Sequence, residues 1–171
     1  EVKAVRSAVG VSEIASFAKH EFAGSDARKY LDFILAGRIP KPGRIALNPM
    51  LTKKGKLYGD LTVASLNDEK FMIFGSGAVQ EMHRRWFESF LPDKNVVYKN
   101  RSDDYHGLAI AGPNSRKLMS KICREDVSNE AFKFRDTKEI FVGGVPAIVN
   151  RISFTGELGY EIYTAPQFQI K

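Results

Sequence analysis

The sequence predicts an α+β fold of two lobes, each an antiparallel sheet with helices laid on one face. Three observations predict it. Strand-like runs are joined by short turns rich in Gly, Asn, Asp and Lys, which suit hairpins. Amphipathic helical segments stand between groups of strands instead of alternating with single ones, which argues against a wound parallel sheet. The order of elements then returns in the second half of the chain, without a strict sequence repeat or a low-complexity segment.

In chain order, Val2 to Val9 has small apolar residues at helical spacing and ends at Gly10, a helix stop. A short strand is expected around Phe17 to Phe22. Ser25 caps a helix whose first turn carries Asp26 and whose apolar stripe is Ala27, Leu31, Ile34 and Leu35, with Gly37 as its end. After Lys41-Pro42-Gly43 comes a meander: Ile45 to Leu51, a turn at Lys53 to Gly55, Lys56 to Leu66, a turn at Asn67 to Glu69, and Lys70 to Phe74. Gly77 to Leu91, with Met82, Trp86, Phe87 and Phe90 at three- and four-residue spacing, reads as a second helix closed by Pro92. The lobe boundary is placed here, giving residues 1–94 and 95–171. The second lobe is expected to hold strands at Asn95 to Asn100 and His106 to Ala111, then a helix from Gly112-Pro113-Asn114 through Cys123. Thr137 to Val142, Gly143-Gly144 and Val145 to Phe154 form a hairpin, and Thr155 to Gly159 turns into a last strand, Tyr160 to Thr164.

Length and composition fit this organisation. The 171 residues are one domain's worth, and 43% hydrophobic with 27% charged residues excludes disordered and collagenous chains. The single Cys123 excludes an internal disulfide, and it reads as a small core residue. His20, His83 and His106 are scattered, so no metal site is expected. No apolar run is long enough for a membrane helix, and no signal-peptide pattern opens the chain, so the expectation is a cytoplasmic domain, or one of the mitochondrial matrix, that binds neither membrane nor nucleic acid. The net charge of +6 favours acidic partners without choosing among them. Beginning at Glu1 and ending at Gln169-Ile170-Lys171 just past a strand, the chain reads as a piece of a longer protein, with part of any site outside it.

Few residues carry chemistry by pattern alone. Gly75-Ser76-Gly77 follows a strand and opens a helix as a dinucleotide fingerprint does, but Gln80 occupies the third glycine's place, so a plain strand-to-helix turn is the better reading. There is no P-loop and no nucleophile elbow. Asp60 sits inside a strand, where Asp is depleted. Period two places Leu57, Leu61 and Val63 on one face and Tyr58, Asp60 and Thr62 on the other, with Gly59 allowing close approach. Glu161 shares a strand face with Tyr163 just after a glycine-bearing turn. For both carboxylates, a solvent-facing side chain and a ligand-facing one remain open at this point.

Three segments read together carry a resemblance. Leu47 through Val63, Ala111-Gly-Pro-Asn-Ser-Arg116 and Arg151 through Glu161 match, in order and spacing, the aminomethyltransferase (glycine-cleavage T-protein) superfamily. Within it, the chain is most similar to the folate-binding C-terminal region of dimethylglycine and sarcosine dehydrogenases, where Val127 to Arg135 also has a counterpart. The resemblance covers nearly the whole chain. It implies the GcvT-like folate-binding fold, truncated at the C-terminus, and transfer of a one-carbon unit from an N-methyl amine or aminomethyl donor to tetrahydrofolate, giving 5,10-methylenetetrahydrofolate. It implies that Asp60 orients the folate and assists proton transfer, that Glu161 binds the pterin's N–H edge, and that Leu47 packs on the ring system. Ser76 stands where the family has Asn and Phe154 where it has Tyr, thinning two polar contacts to the cofactor. A flavin domain is implied upstream in a parent protein, with no FAD site in this chain. Asp60 and Glu161 are expected in one cleft. Two alternatives stay open: a non-catalytic regulatory module on the same fold, and a folate-using methyltransferase with a different methylated substrate.

Overall fold

The structure, a computed structural model, describes residues 1–169; Ile170 and Lys171, the last two residues of the chain's expected end, lie outside the described residues. Its elements in chain order are α1 (Val2–Ser7), β1 (Gly10–Glu13), β2 (Ala18–Ala23), α2 (Ala27–Ile34), β3 (Arg44–Leu51), β4 (Leu57–Ser65), β5 (Lys70–Gly75), α3 (Gln80–Ser89), β6 (Val97–Asn100), β7 (His106–Ala111), α4 (Ser115–Ile122), β8 (Thr137–Val142), β9 (Val145–Asn150) and β10 (Gly159–Thr164). The strands form two five-stranded sheets, β3-β4-β5-β2-β6 and β1-β7-β10-β9-β8, with every pair antiparallel. The architecture is the α+β one the hairpins predict. Among the described residues no helix is long and apolar enough to cross a membrane.

The chain divides into two compact units, residues 16–102 and residues 1–15 together with 103–171. Where the sequence reading places a single boundary at 94/95, two strands cross it. The strand expected to open the second lobe, β6, pairs with β2, with His20 opposite Asn100 and Ala23 opposite Val97. The segment after Gly10, read only as a helix stop, is the strand β1, which pairs with β7 from Gly10–Ala111 to Glu13–Leu108. Both pairings join residues far apart in sequence, so no local pattern announces them.

In the 16–102 unit, Leu61 and Val63 of β4, Phe71 and Ile73 of β5 and Phe22 of β2 meet Tyr30 and Leu31 of α2 and Phe87 of α3 in a buried core. Aromatic edges organise it: Phe22 and Phe87 lie 5.1 Å apart in a T-shape, and the Tyr30 hydroxyl donates to the Phe87 carbonyl at 2.7 Å. The other unit builds its core from Ile110, Val149, Tyr160 and Ile162 of the sheet, Met119 of α4, and Val127 and Phe132 of the following segment. Between β8 and β9 the two-residue turn Gly143-Gly144 has φ of 60° and 82°, a left-handed pair that glycine adopts without steric cost.

Two local expectations are corrected. Tyr58 does not share Asp60's face: a register shift between Met50 and Leu51 lets its ring pack at a tilt against Trp86 of α3, ring centres 4.5 Å apart, while Leu57, expected on the face of Leu61 and Val63, is exposed. The helix expected from Gly77 begins as a 3-10 turn over Gly77–Val79 and becomes α-helical only at Gln80. A Cβ on Gly77 would collide with the Ser16 carbonyl, so this turn is glycine for a close approach of backbone rather than for a phosphate.

Candidate functional site

Asp60 lies mid-strand in β4, exposed, opposite Pro49 of β3, and makes no hydrogen bond or ion pair among the described residues. Because Leu61 and Val63 alternate with it into the core, its own face is the one turned from α2 and α3. Leu47 and Thr62, paired across the strands, stand on that same face, and Leu47 is 67% exposed. An exposed leucine on a strand beside an unpaired carboxylate offers a flat apolar surface and an acceptor within one face. The strand carrying Leu47 is fixed from the side by Asn48, fully buried, whose Oδ1 accepts from the Gly37 amide at 2.7 Å and whose Nδ2 donates to the Arg38 carbonyl.

Behind Asp60 the strand is pinned by His83 of α3. Its Nε2 lies 3.2 Å from the Tyr58 carbonyl, which can only accept, so in the neutral ring Nε2 carries the proton. Two glycines make room for the ring: a Cβ on Gly59 would come within 3.0 Å of His83 Nε2, and one on Gly75 would meet Leu61 at 2.8 Å and His83 Nδ1 at 3.5 Å. His20, scattered from His83 in sequence, meets it in space with ring centres 6.4 Å apart, and its Nδ1 pairs with the Tyr98 hydroxyl at 2.9 Å. Burial lowers the His20 pKa to about 4, with the neighbouring His83 pushing the same way and Glu81 opposing; burial also lowers that of His83, against its bond to Tyr58. Both rings are held neutral near neutral pH, and neither makes an ion pair among the described residues.

Ser76 is exposed where β5 runs into the 3-10 turn, with extended backbone and no side-chain cap bond to the turn. Leu47, Asp60 and Ser76 therefore all belong to the 16–102 unit, and Phe154 and Glu161 to the other. Phe154 is 97% exposed at the tip of the loop between β9 and β10, next to Ser153, whose hydroxyl donates to the Glu157 carbonyl.

Glu161 occupies the face of β10 opposite to Tyr160 and Ile162, which enter the core. It is half-buried, and the cross-strand register sets Asn150 of β9 on one side and Ala109 of β7 on the other. The Tyr163 hydroxyl donates to its Oε2 at 2.9 Å. Burial raises the Glu161 pKa, while the Tyr163 hydrogen bond and, after it, the Asn150 amide pull it back. Tyr163 itself is fully buried, and burial together with the adjacent carboxylate raises its pKa well above the ordinary phenol value. Period two alone places Tyr163 on the Glu161 face. Asn150 escapes sequence reasoning, because the β9–β10 connection is too long to fix a register.

The chain matches, over residues 1–171, the family described as GCVT N-terminal domain. It is 38% identical over 166 residues to human mitochondrial dimethylglycine dehydrogenase, covering 95% of this chain and 19% of that protein. An aminomethyltransferase of Thermosipho melanesiensis is 31% identical over 166 residues, covering 96% of this chain and 45% of its own length. The chain thus spans a fifth of the first relative and under half of the second. Among solved structures, the glycine cleavage system aminomethyltransferase T from Bartonella henselae shares the fold, with a TM-score of 0.85 over 97% of this chain and 44% of that one at 17% identity.

Proposed function

The chain belongs to the GCVT N-terminal domain family, and from that membership we propose that it is a tetrahydrofolate-dependent one-carbon transfer domain acting in an aminomethyltransferase or a dimethylglycine dehydrogenase-like enzyme. When bound, tetrahydrofolate supplies the nucleophilic nitrogens that accept a one-carbon unit from an N-methyl amine or aminomethyl donor and leaves as 5,10-methylenetetrahydrofolate. Glu161 binds the pterin's amino and ring N–H edge, its two oxygens meeting two donors. Asp60 orients the reacting amines and takes up or returns a proton at its carboxylate, a role that needs an acceptor with free lone pairs. Leu47 covers one face of the ring system, and Ser76 and Phe154 flank the cofactor with few polar contacts of their own.

The observation that carries the reading is the half-buried Glu161 on a sheet face away from its core, kept as an acceptor by neighbouring donors in a chain of this family. Burial of a carboxylate costs stability that hydrogen bonds only partly offset, which makes a retained one a candidate for function. The residues fit the cofactor's chemistry: a carboxylate accepts more donors than Tyr163 and Asn150 supply to Glu161, and Leu47 presents exposed apolar surface beside Asp60.

Calorimetric titration of the chain with 5-formyltetrahydrofolate, a stable reduced folate, tests this. We expect one-to-one heat, a roughly ten- to hundredfold weaker affinity in Glu161→Ala, the loss of charge-assisted bonds, and a smaller loss in Asp60→Ala. Absence of heat with the unaltered chain, or unchanged affinity in Glu161→Ala, overturns the assignment.

A further inference from the structure

The Glu161 carboxylate is held by a phenol two residues along the same strand. Tyr163 is fully buried, its ring lies against Gly107 of β7, where a Cβ would come within 3.1 Å of Cε1, and its hydroxyl donates to Glu161 Oε2 at 2.9 Å. A packed ring fixes the hydroxyl, and a fixed hydroxyl orients the carboxylate, whose roughly four acceptor sites exceed what Tyr163 and the Asn150 amide fill, leaving lone pairs for donors from outside the chain. Tyr160 provides an internal contrast on the same strand: also fully buried, its hydroxyl faces the core and has no partner among the described residues. One tyrosine of the pair thus fills space, and the other addresses a carboxylate.

We propose that Tyr163 is a positioning residue: its hydroxyl holds Glu161 in the orientation and acceptor form that a ligand with adjacent N–H donors, such as a pterin, requires. This rests on the folate reading of Glu161 and adds to it a residue that never touches the ligand. Removing the hydroxyl leaves a half-buried carboxylate with one donor fewer, so Glu161 takes up a proton more readily and turns an acceptor oxygen into a competing donor. The other polar and charged groups on this sheet face are Asn150 directly opposite, Thr137 beyond it on β8, the exposed Glu139 of β8, and Ser12 of β1. None is a cation, so the hydroxyl's contribution has no charged substitute on this face.

The test has a ligand-free arm and a ligand arm. In the chain with 13C-labelled glutamate carboxyls and no ligand, Tyr163→Phe is expected to raise the Glu161 titration midpoint by about one pH unit, and Tyr160→Phe to leave it in place. In the unaltered chain, the Tyr163 13Cζ resonance is expected to follow the Glu161 midpoint, a readout that survives even if Tyr163→Phe fails to fold. With 5-formyltetrahydrofolate, Tyr163→Phe is expected to bind roughly three- to tenfold more weakly at neutral pH and to recover as pH rises. A midpoint unmoved by Tyr163→Phe, a Tyr163 resonance that ignores the Glu161 titration, or an affinity loss equal at all pH values overturns the proposal. If the unaltered chain binds no folate while the ligand-free arm behaves as expected, the folate reading fails and the Tyr163–Glu161 pairing stands.

Discussion

Asp60 and Glu161 hold comparable places in two sheets of the same size: each sits on a strand whose alternate residues enter a core, and each faces away from that core. Their surroundings differ. Asp60 is exposed and unpaired among the described residues, while two neutral histidines, His20 and His83, are buried behind its strand. Glu161 is half-buried and held by a phenol. One unit presents its carboxylate freely and hides titratable groups beneath it; the other hides part of the carboxylate itself. Acid therefore acts with opposite sign on the histidines beneath Asp60 and on the Glu161 carboxyl. A histidine whose folded pKa is depressed contributes stability that is present above the unfolded value and lost as pH falls through the folded one. A carboxyl whose folded pKa is raised contributes stability that is present at low pH and lost as pH rises through the folded value.

The largest expected effect lies in the 16–102 unit. Lowering pH from the ordinary histidine value of 6.5 toward the His20 value of about 4 should remove on the order of 3 kcal/mol of its stability, as each proton taken up by the unfolded chain is refused by the buried ring. Hydrogen exchange should then show amides of β2, β5 and α3 losing protection before those of β7 to β10, and His20→Phe should suppress most of that sensitivity. Parallel loss in both units would show that His20 does not set the acid response of residues 16–102.

A smaller effect separates the two carboxylates at neutral pH. Glu161→Gln should stabilise the chain by about 0.5–2 kcal/mol in urea unfolding, since it relieves a charge held in a dry place, even as folate affinity falls. Asp60→Asn should change stability by less than about 0.5 kcal/mol, because nothing in the fold leans on that side chain. Equal shifts in the two variants would mean that burial of Glu161 carries no cost, and the contrast would dissolve.

Sequence alone reached far into this fold where local rules decide. The Gly143-Gly144 hairpin is legible because only left-handed residues close so tight a turn between twisted strands, and α3 because Trp86, Phe87 and Phe90 recur at helical spacing. Asp60 and Glu161 stand out for a related reason: a carboxylate inside a strand conflicts with its neighbours' preferences, and such conflicts mark candidates for a site. What escaped depends on pairings between distant segments. Four residues, Gly10 to Glu13, carry no periodic burial and become a strand only beside β7. Val97 to Asn100 have no local reason to choose β2, and the meeting of His20 with His83 follows from the pairing of β2 with β5 and from two glycines, Gly59 and Gly75, whose use as space for a ring no local pattern reveals.

The placement of β1 has a consequence for how the polypeptide is made. Residues 16–102 are an insertion within the other unit: the chain starts one sheet, leaves it to complete another, and returns. As the polypeptide emerges from the ribosome, Gly10 to Glu13 precede their partners, Leu108 to Ala111, by about a hundred residues, roughly 5–20 s at ordinary translation speed. The inserted unit has all its strands by residue 100 and is free to fold during that interval. Closing so long a loop is costly in chain entropy for an unfolded linker, but a linker already folded joins its two ends at a fixed span. The second sheet's registration is thus a late event, and slow synthesis across residues 16–102 favours it.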